Sequence, residues 1–221
     1  MGPFTRTGML PGEYDMTVYK NELGVYWSKV GVTAGGAAKL AKITITADPS
    51  STTPIWRIGD WDGSPVELLN GDKVTTTHPS DVRMKPWTPG PYIVGASKPA
   101  TGFPCYQWKD INGSQEIQFD LTAEQVKARK VRVGITCAYS GARPTIAVNS
   151  WKARPPGASN QPDSRSLTVG TYRGNNSMFS FDVPASAFAA GKNTLWISIV
   201  SGAGNQGFLS AGYSVDCVDL Y

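Results

Sequence analysis

The chain has 221 residues, room for one large β domain or for two smaller ones. Charged residues are 17% and hydrophobic residues 40%, while Gly (24), Pro (16), Trp (7) and Tyr (9) are frequent; this suits short strands joined by many turns and excludes a helix bundle or a disordered tail. The net charge of +4 favours an acidic polymer over a neutral one, yet no dense Lys/Arg block with interleaved aromatics points to nucleic acid, and no apolar run approaches the roughly 20 residues of a membrane span.

The opening stretch from Met1 to Arg6 is no signal peptide, because no apolar segment follows Arg6; an export signal is expected on a longer precursor. The low charge, the Ser/Thr/Gly content and two glycosylation sequons, Asn112-Gly113-Ser114 and Asn175-Asn176-Ser177, suggest a secreted, extracellular protein. Residues 12–20 place Tyr14, Met16 and Val18 on one strand face. Further strands are predicted at Leu23–Trp27, Val30–Thr33 and Leu40–Thr46. That is fewer than the about seven strands of an immunoglobulin-like sandwich, so this region reads as part of one.

Residues 48–54, rich in Pro, Ser and Thr, read as a linker, and a new strand begins at Ile55-Trp56-Arg57-Ile58-Gly59. Residues 60–91 lack alternation and carry many turn formers, which predicts a long ordered loop region. Strand patterns recur at 104–108, 115–121, 131–138, 144–149, 179–183, 193–200 and 213–221, the spacing of a sandwich or barrel. Lys127, Arg129, Lys130 and Arg132 read as a turn running into a strand. Short helical turns are predicted at 122–128, with Thr122 as N-cap and Gln125 three residues on, and at 184–189. Cys105, Cys137 and Cys217 fit no zinc spacing. A Cys137–Cys217 disulfide, leaving Cys105 over, is expected in an oxidising compartment, with buried thiols as the alternative.

Several stretches carry a family resemblance: Trp56-Arg57-Ile58-Gly59-Asp60-Trp61-Asp62-Gly63, Asn70-Gly71-Asp72-Lys73, His78-Pro79-Ser80-Asp81-Val82-Arg83-Met84, Arg173-Gly174-Asn175-Asn176, Val183-Pro184-Ala185-Ser186, Gly191-Lys192-Asn193-Thr194-Leu195 and Val215-Asp216-Cys217-Val218-Asp219-Leu220. They resemble the C-terminal carbohydrate-binding-like domain of rhamnogalacturonan lyases of polysaccharide lyase family 4. Leu10-Pro11-Gly12-Glu13-Tyr14 and Val18-Tyr19-Lys20-Asn21-Glu22-Leu23 resemble that family's fibronectin type III-like domain. The resemblance implies an all-β chain: a partial fibronectin type III-like β-sandwich over residues 1–48, then an antiparallel jelly-roll β-sandwich over 49–221. The family cleaves rhamnogalacturonan by β-elimination in a catalytic domain that nothing here matches, so no residue inherits a catalytic role. A structural calcium near the last strand is implied through Asp216, with Asp60 or Asp62 approaching from the first strand; calcium takes about six to eight oxygen ligands.

Elimination needs a base for the sugar proton and a cation for the uronate carboxylate. His78, the sole histidine, lies near Asp81, Arg83 and Lys85. The set reads either as a site or as a loop pinned by its own hydrogen bonds. Sugar binding needs a flat aromatic and polar groups for the hydroxyls. Trp108 and Trp196, inside alternating strands, are expected in the core. Trp151 and Tyr172 flank the Pro/Ser/Asn-rich residues 152–166 and are expected as exposed platforms, with Arg143, Arg165 and Arg173 gripping an acidic sugar chain. The expected function is a non-catalytic carbohydrate-binding or scaffold region, monomeric, with pectic rhamnogalacturonan as partner, requiring no cofactor beyond the calcium, and engaging neither nucleic acid nor membrane. The rivals are an enzyme acting through the His78 loop and a purely structural interdomain module.

Overall fold

A computed structural model describes residues 5–18, 26–45, 53–158, 161–164, 174, 176–201 and 206–221. Contacts divide the chain into two compact units, Met1–Thr52 and Thr53–Tyr221.

The first unit contains an antiparallel pair, β1 (Gly12–Val18) and β2 (Tyr26–Val32), in the register Gly12↔Val32 to Val18↔Tyr26. Tyr14 and Met16 are half-buried and Glu13 and Asp15 exposed, the alternation that a strand with one covered face requires. Lys29 bridges Glu13 at 3.0 Å across the pair, and the Tyr14 hydroxyl donates to the Leu10 carbonyl at 2.7 Å. Two expectations are corrected. The strands predicted around 23–27 and 30–33 are parts of one strand in their described residues, because Ser28 and Lys29 continue the ladder opposite Met16 and Asp15. Residues 40–45 are not strand: they pair with no neighbour among the described residues, and apolar alternation alone does not make a ladder.

The second unit is a β-sandwich of two five-stranded sheets. One runs β10 (Ser177–Val183), β7 (Arg129–Tyr139), β12 (Gly212–Leu220) and β3 (Trp56–Gly59), with β5 (Tyr106–Trp108) also on β12. The other runs β4 (Tyr92–Ile93), β6 (Ser114–Leu121), β11 (Gly191–Val200), β8 (Arg143–Val148) and β9 (Trp151–Lys152). All pairs are antiparallel except the two-residue β4–β6 contact. Ile117, Phe119, Leu195, Ile197, Ile146 and Val148 face inward from the second sheet, and Ile58, Val133, Ile135 and Val218 belong to the same core. Trp108 closes one end, with ring centroids 4.7 Å from Trp87, 4.3 Å from Tyr106 and 5.0 Å from Phe208. The predicted turn at Thr122 is a short 3₁₀ segment in which the Gln125 side-chain oxygen accepts the Thr122 amide at 2.8 Å.

The sheets differ on their outer faces. β12 is buried along its whole length, although it lies on one sheet only. Trp61 explains part of this. It lies over Gly134 of β7, where an added Cβ would come 2.2 Å from the indole, and its Nε1 donates to Asp219 at 2.9 Å. Arg132 joins the same cluster and is almost fully enclosed. β6, β11 and β8 instead alternate buried with half-buried or exposed positions, so the outer face of the second sheet meets solvent.

The expected Cys137–Cys217 disulfide is not formed; all three cysteines are buried thiols. Cys137 stands opposite Ser214 on β12, whereas Cys217 lies three residues further on and pairs with Gly59 of β3. Three residues are roughly 10 Å along a strand, beyond the about 7 Å that a disulfide spans between Cα atoms. The first sequon is also closed to modification: Asn112 is buried, and its amide nitrogen donates to the Trp87 and Tyr106 carbonyls at 3.2 and 2.9 Å.

Candidate functional site

The loop at residues 60–91 is held by its own polar groups. Asn70 donates to the Lys85 carbonyl at 3.0 Å and accepts the Lys85 amide at 2.9 Å, and Trp87 Nε1 donates to the Pro79 carbonyl at 2.9 Å. Within this frame His78 is exposed, and its Nδ1 lies 2.7 Å from the Ser80 hydroxyl and accepts the Ser80 amide at 3.2 Å. Asp81 receives Arg83 through the backbone amide, Nε and Nη2 at 2.9, 2.8 and 2.9 Å, and Arg83 holds its carboxyl down at about 2. His78, Asp81 and Arg83 therefore each bind a near neighbour in sequence, and Lys85 joins the frame through its backbone. His78 and Asp81 tie the turn, and Arg83 is committed to Asp81.

The carboxylates near the last strand are also engaged locally. Asp216 is buried and accepts the Gly63 amide at 2.8 Å, while Asp62 accepts the Ser64 amide at 2.8 Å and Glu67 accepts the Asp60 amide at 2.7 Å. Burial pushes the Asp216 carboxyl up to about 7, opposed by the Gly63 amide and reinforced by the charges of Asp62 and Glu67. No group of three or more His, Cys, Asp or Glu side chains among the described residues is arranged to hold a metal ion.

Of the sugar-binding residues expected from sequence, Trp151 and Arg143 are described. Tyr172, Arg165 and Arg173 lie outside the described residues. Trp151 is not an exposed platform: it stands opposite Val148 in β9, is half-buried and packs against the core. Val148 points inward, and directly paired residues share a face, so Trp151 turns inward too. Arg143 is held by the loop: its Nε donates to the Pro156 carbonyl at 2.8 Å and its Nη1 to the Gly141 carbonyl at 3.0 Å, which staples the segment after β9.

Another aromatic occupies the open face. Trp196, expected in the core, is only half-buried, because it alternates with the inward Leu195 and Ile197. Its direct neighbours are Glu116 on β6 and Ala147 on β8, and Ala147 in turn faces Lys152 on β9. Gln118, Thr194, Ser198 and Thr145 share this face by the same alternation. Gln118 Nε2 donates to the Glu116 carboxylate at 2.8 Å, and Lys152 is exposed with no ion-pair partner among the described residues. Among the described residues, an indole beside hydroxyls, an amide and a carboxylate, with a cation two strands away, suits a polar ring with an apolar face. The sequence held the signal, since Trp196 falls in the same alternation class as Thr194 and Ser198.

Comparison with known proteins agrees with this architecture. A sequence model for polysaccharide lyase family 4, domain III, described as CBM-like, matches residues 54–220, and one for domain II of the same family matches residues 1–40. Rhamnogalacturonate lyase A of Aspergillus aculeatus and that of Emericella nidulans are each 36% identical over 220 residues. The "Probable rhamnogalacturonate lyase A" of Aspergillus clavatus is 40% identical over 220 residues. In each case the match covers 100% of this chain and 41% of the relative, so the chain spans less than half the length of these curated relatives.

Proposed function

The chain belongs to polysaccharide lyase family 4, and from that membership we propose that it is a carbohydrate-binding or scaffold region of a rhamnogalacturonan-degrading lyase and does not itself perform the elimination. The observation that carries the binding half is the match of a CBM-like domain to residues 54–220, nearly all of the second unit. The non-catalytic half is supported by the state of the chain's one histidine. His78 Nδ1 is bonded to Ser80, and the nearby Arg83 is committed to Asp81, so both groups are engaged by near neighbours in sequence.

In this reading the partner is a pectic polymer containing uronate, met outside the cell, and the chain's +4 charge raises the local concentration of such a polyanion. The test is to incubate the purified chain with rhamnogalacturonan and follow both retention on the polymer and the ultraviolet absorbance of unsaturated uronate ends. Retention without new absorbance is expected. Absorbance that grows with time and disappears in His78→Ala would make the chain an enzyme, and absence of retention would leave a purely structural module.

A further inference from the structure

Resting on the carbohydrate-binding reading above, we propose that the polymer is held on the outer face of the sheet β4-β6-β11-β8-β9, with a sugar stacked on Trp196 and a uronate carboxylate paired with Lys152. Trp196 lies within the central strand of that sheet, in a row that reads Glu116, Trp196, Ala147, Lys152 across four adjacent strands. A side chain of this size left partly in solvent forgoes some of the burial that stabilises a sandwich, whereas its inward neighbours Leu195 and Ile197 are fully enclosed.

The surroundings then select the occupant. Ala147 is the smallest side chain in the row and leaves a step between the indole and Lys152. Two strand spacings separate Trp196 from Lys152, roughly 10 Å, a gap that a stacked sugar and the extended lysine side chain bridge together. Glu116 and Gln118 hold each other in place, so their remaining acceptor and donor positions face sugar hydroxyls with little further ordering cost. Charge decides between polymers. A lysine without an ion-pair partner among the described residues complements the scattered carboxylates of a uronate polymer. On the opposite sheet Trp61 lies over β7, and Arg57 and Arg132 are committed to Asp219.

The test compares the wild-type chain with Trp196→Ala, Lys152→Gln and Ala147→Glu for binding to rhamnogalacturonan and to a neutral galactan by calorimetry, with thermal unfolding of each variant. Trp196→Ala should weaken binding to rhamnogalacturonan by about tenfold or more. Lys152→Gln should weaken the uronate polymer selectively and flatten the dependence of its affinity on salt. Ala147→Glu keeps the indole and places a carboxylate on the face, so it should weaken binding even if Trp196→Ala fails to fold. A wild-type chain that binds while the folded variants bind equally well would overturn this site and leave the carbohydrate-binding reading intact. A wild-type chain that does not bind rhamnogalacturonan would overturn both.

Discussion

Arg132 is nearly inaccessible, and what surrounds it makes that tolerable. Its Nε and Nη2 donate to Asp219 at 3.0 and 2.9 Å, and its guanidinium carbon lies 5.2 Å from the Trp61 ring centroid and 4.3 Å from that of Tyr221. Asp219 also receives Trp61 Nε1 and the Tyr221 hydroxyl, each at 2.9 Å, so its charge is met by several donors. Asp219→Ala strands the Arg132 charge in the interior and should cost about 3–5 kcal/mol of unfolding free energy, measured by denaturant titration. A loss below about 1 kcal/mol would show that water reaches Arg132. Asp216 gives a prediction with a defined sign. Its folded carboxyl titrates at about 7, against about 3.9 in an unfolded chain, so the folded form binds the proton more tightly. The stability linked to that proton is fully present below about pH 4 and is lost as pH rises through about 7, on the order of a few kcal/mol. Glu67, also raised by burial, acts in the same direction. Asp81 acts oppositely, but its contribution is lost only as pH falls below the usual carboxylate range towards about 2. Unfolding in calcium-free buffer from pH 5 to pH 8 should show a falling free energy, and Asp216→Asn should flatten the fall.

At the scale of elements, β9 and β11 present two tryptophans that differ in direction. Trp151 pairs with the inward Val148 and packs against the core, while Trp196 pairs with Glu116 on the open face. Trp151→Ala should therefore lower stability by about 1–3 kcal/mol and leave the affinity of the folded fraction for rhamnogalacturonan unchanged. Comparing denaturation with binding on the same preparation checks this, and a folded variant with lost affinity would return Trp151 to the binding surface. Strands of the second unit were legible because alternation is local: β6, β8, β10, β11 and β12 each extend a run visible in the sequence. Direction across the sheet was less so. The parity of Leu195 and Ile197 fixes Trp196 outward, but a large aromatic within an apolar strand resembles core until that parity is counted. Proximity in sequence misled for Arg143, whose loop carbonyls at Pro156 and Gly141 become partners only once the segment after β9 folds back. The cysteines failed for the same reason, since strand membership says nothing of offset along a shared ladder.

For the whole molecule, the asymmetry of the sandwich organises the account. Trp61 and the ion cluster beneath it cover part of one sheet, while the other keeps a polar, aromatic-centred face towards solvent. The long loop of residues 60–91, from which a catalytic set was one expectation, closes on itself through Asn70, Trp87 and the Asp81–Arg83 pair. In the proposed reading the open sheet face takes the polymer, while His78 and Arg83 are held by Ser80 and Asp81. The most direct test is a single incubation of the purified chain with rhamnogalacturonan, read for polymer retention and for unsaturated uronate absorbance together. Retention that weakens with salt, with no absorbance above that of the polymer alone, is the predicted result; sustained production of unsaturated ends, abolished by His78→Ala, would contradict it.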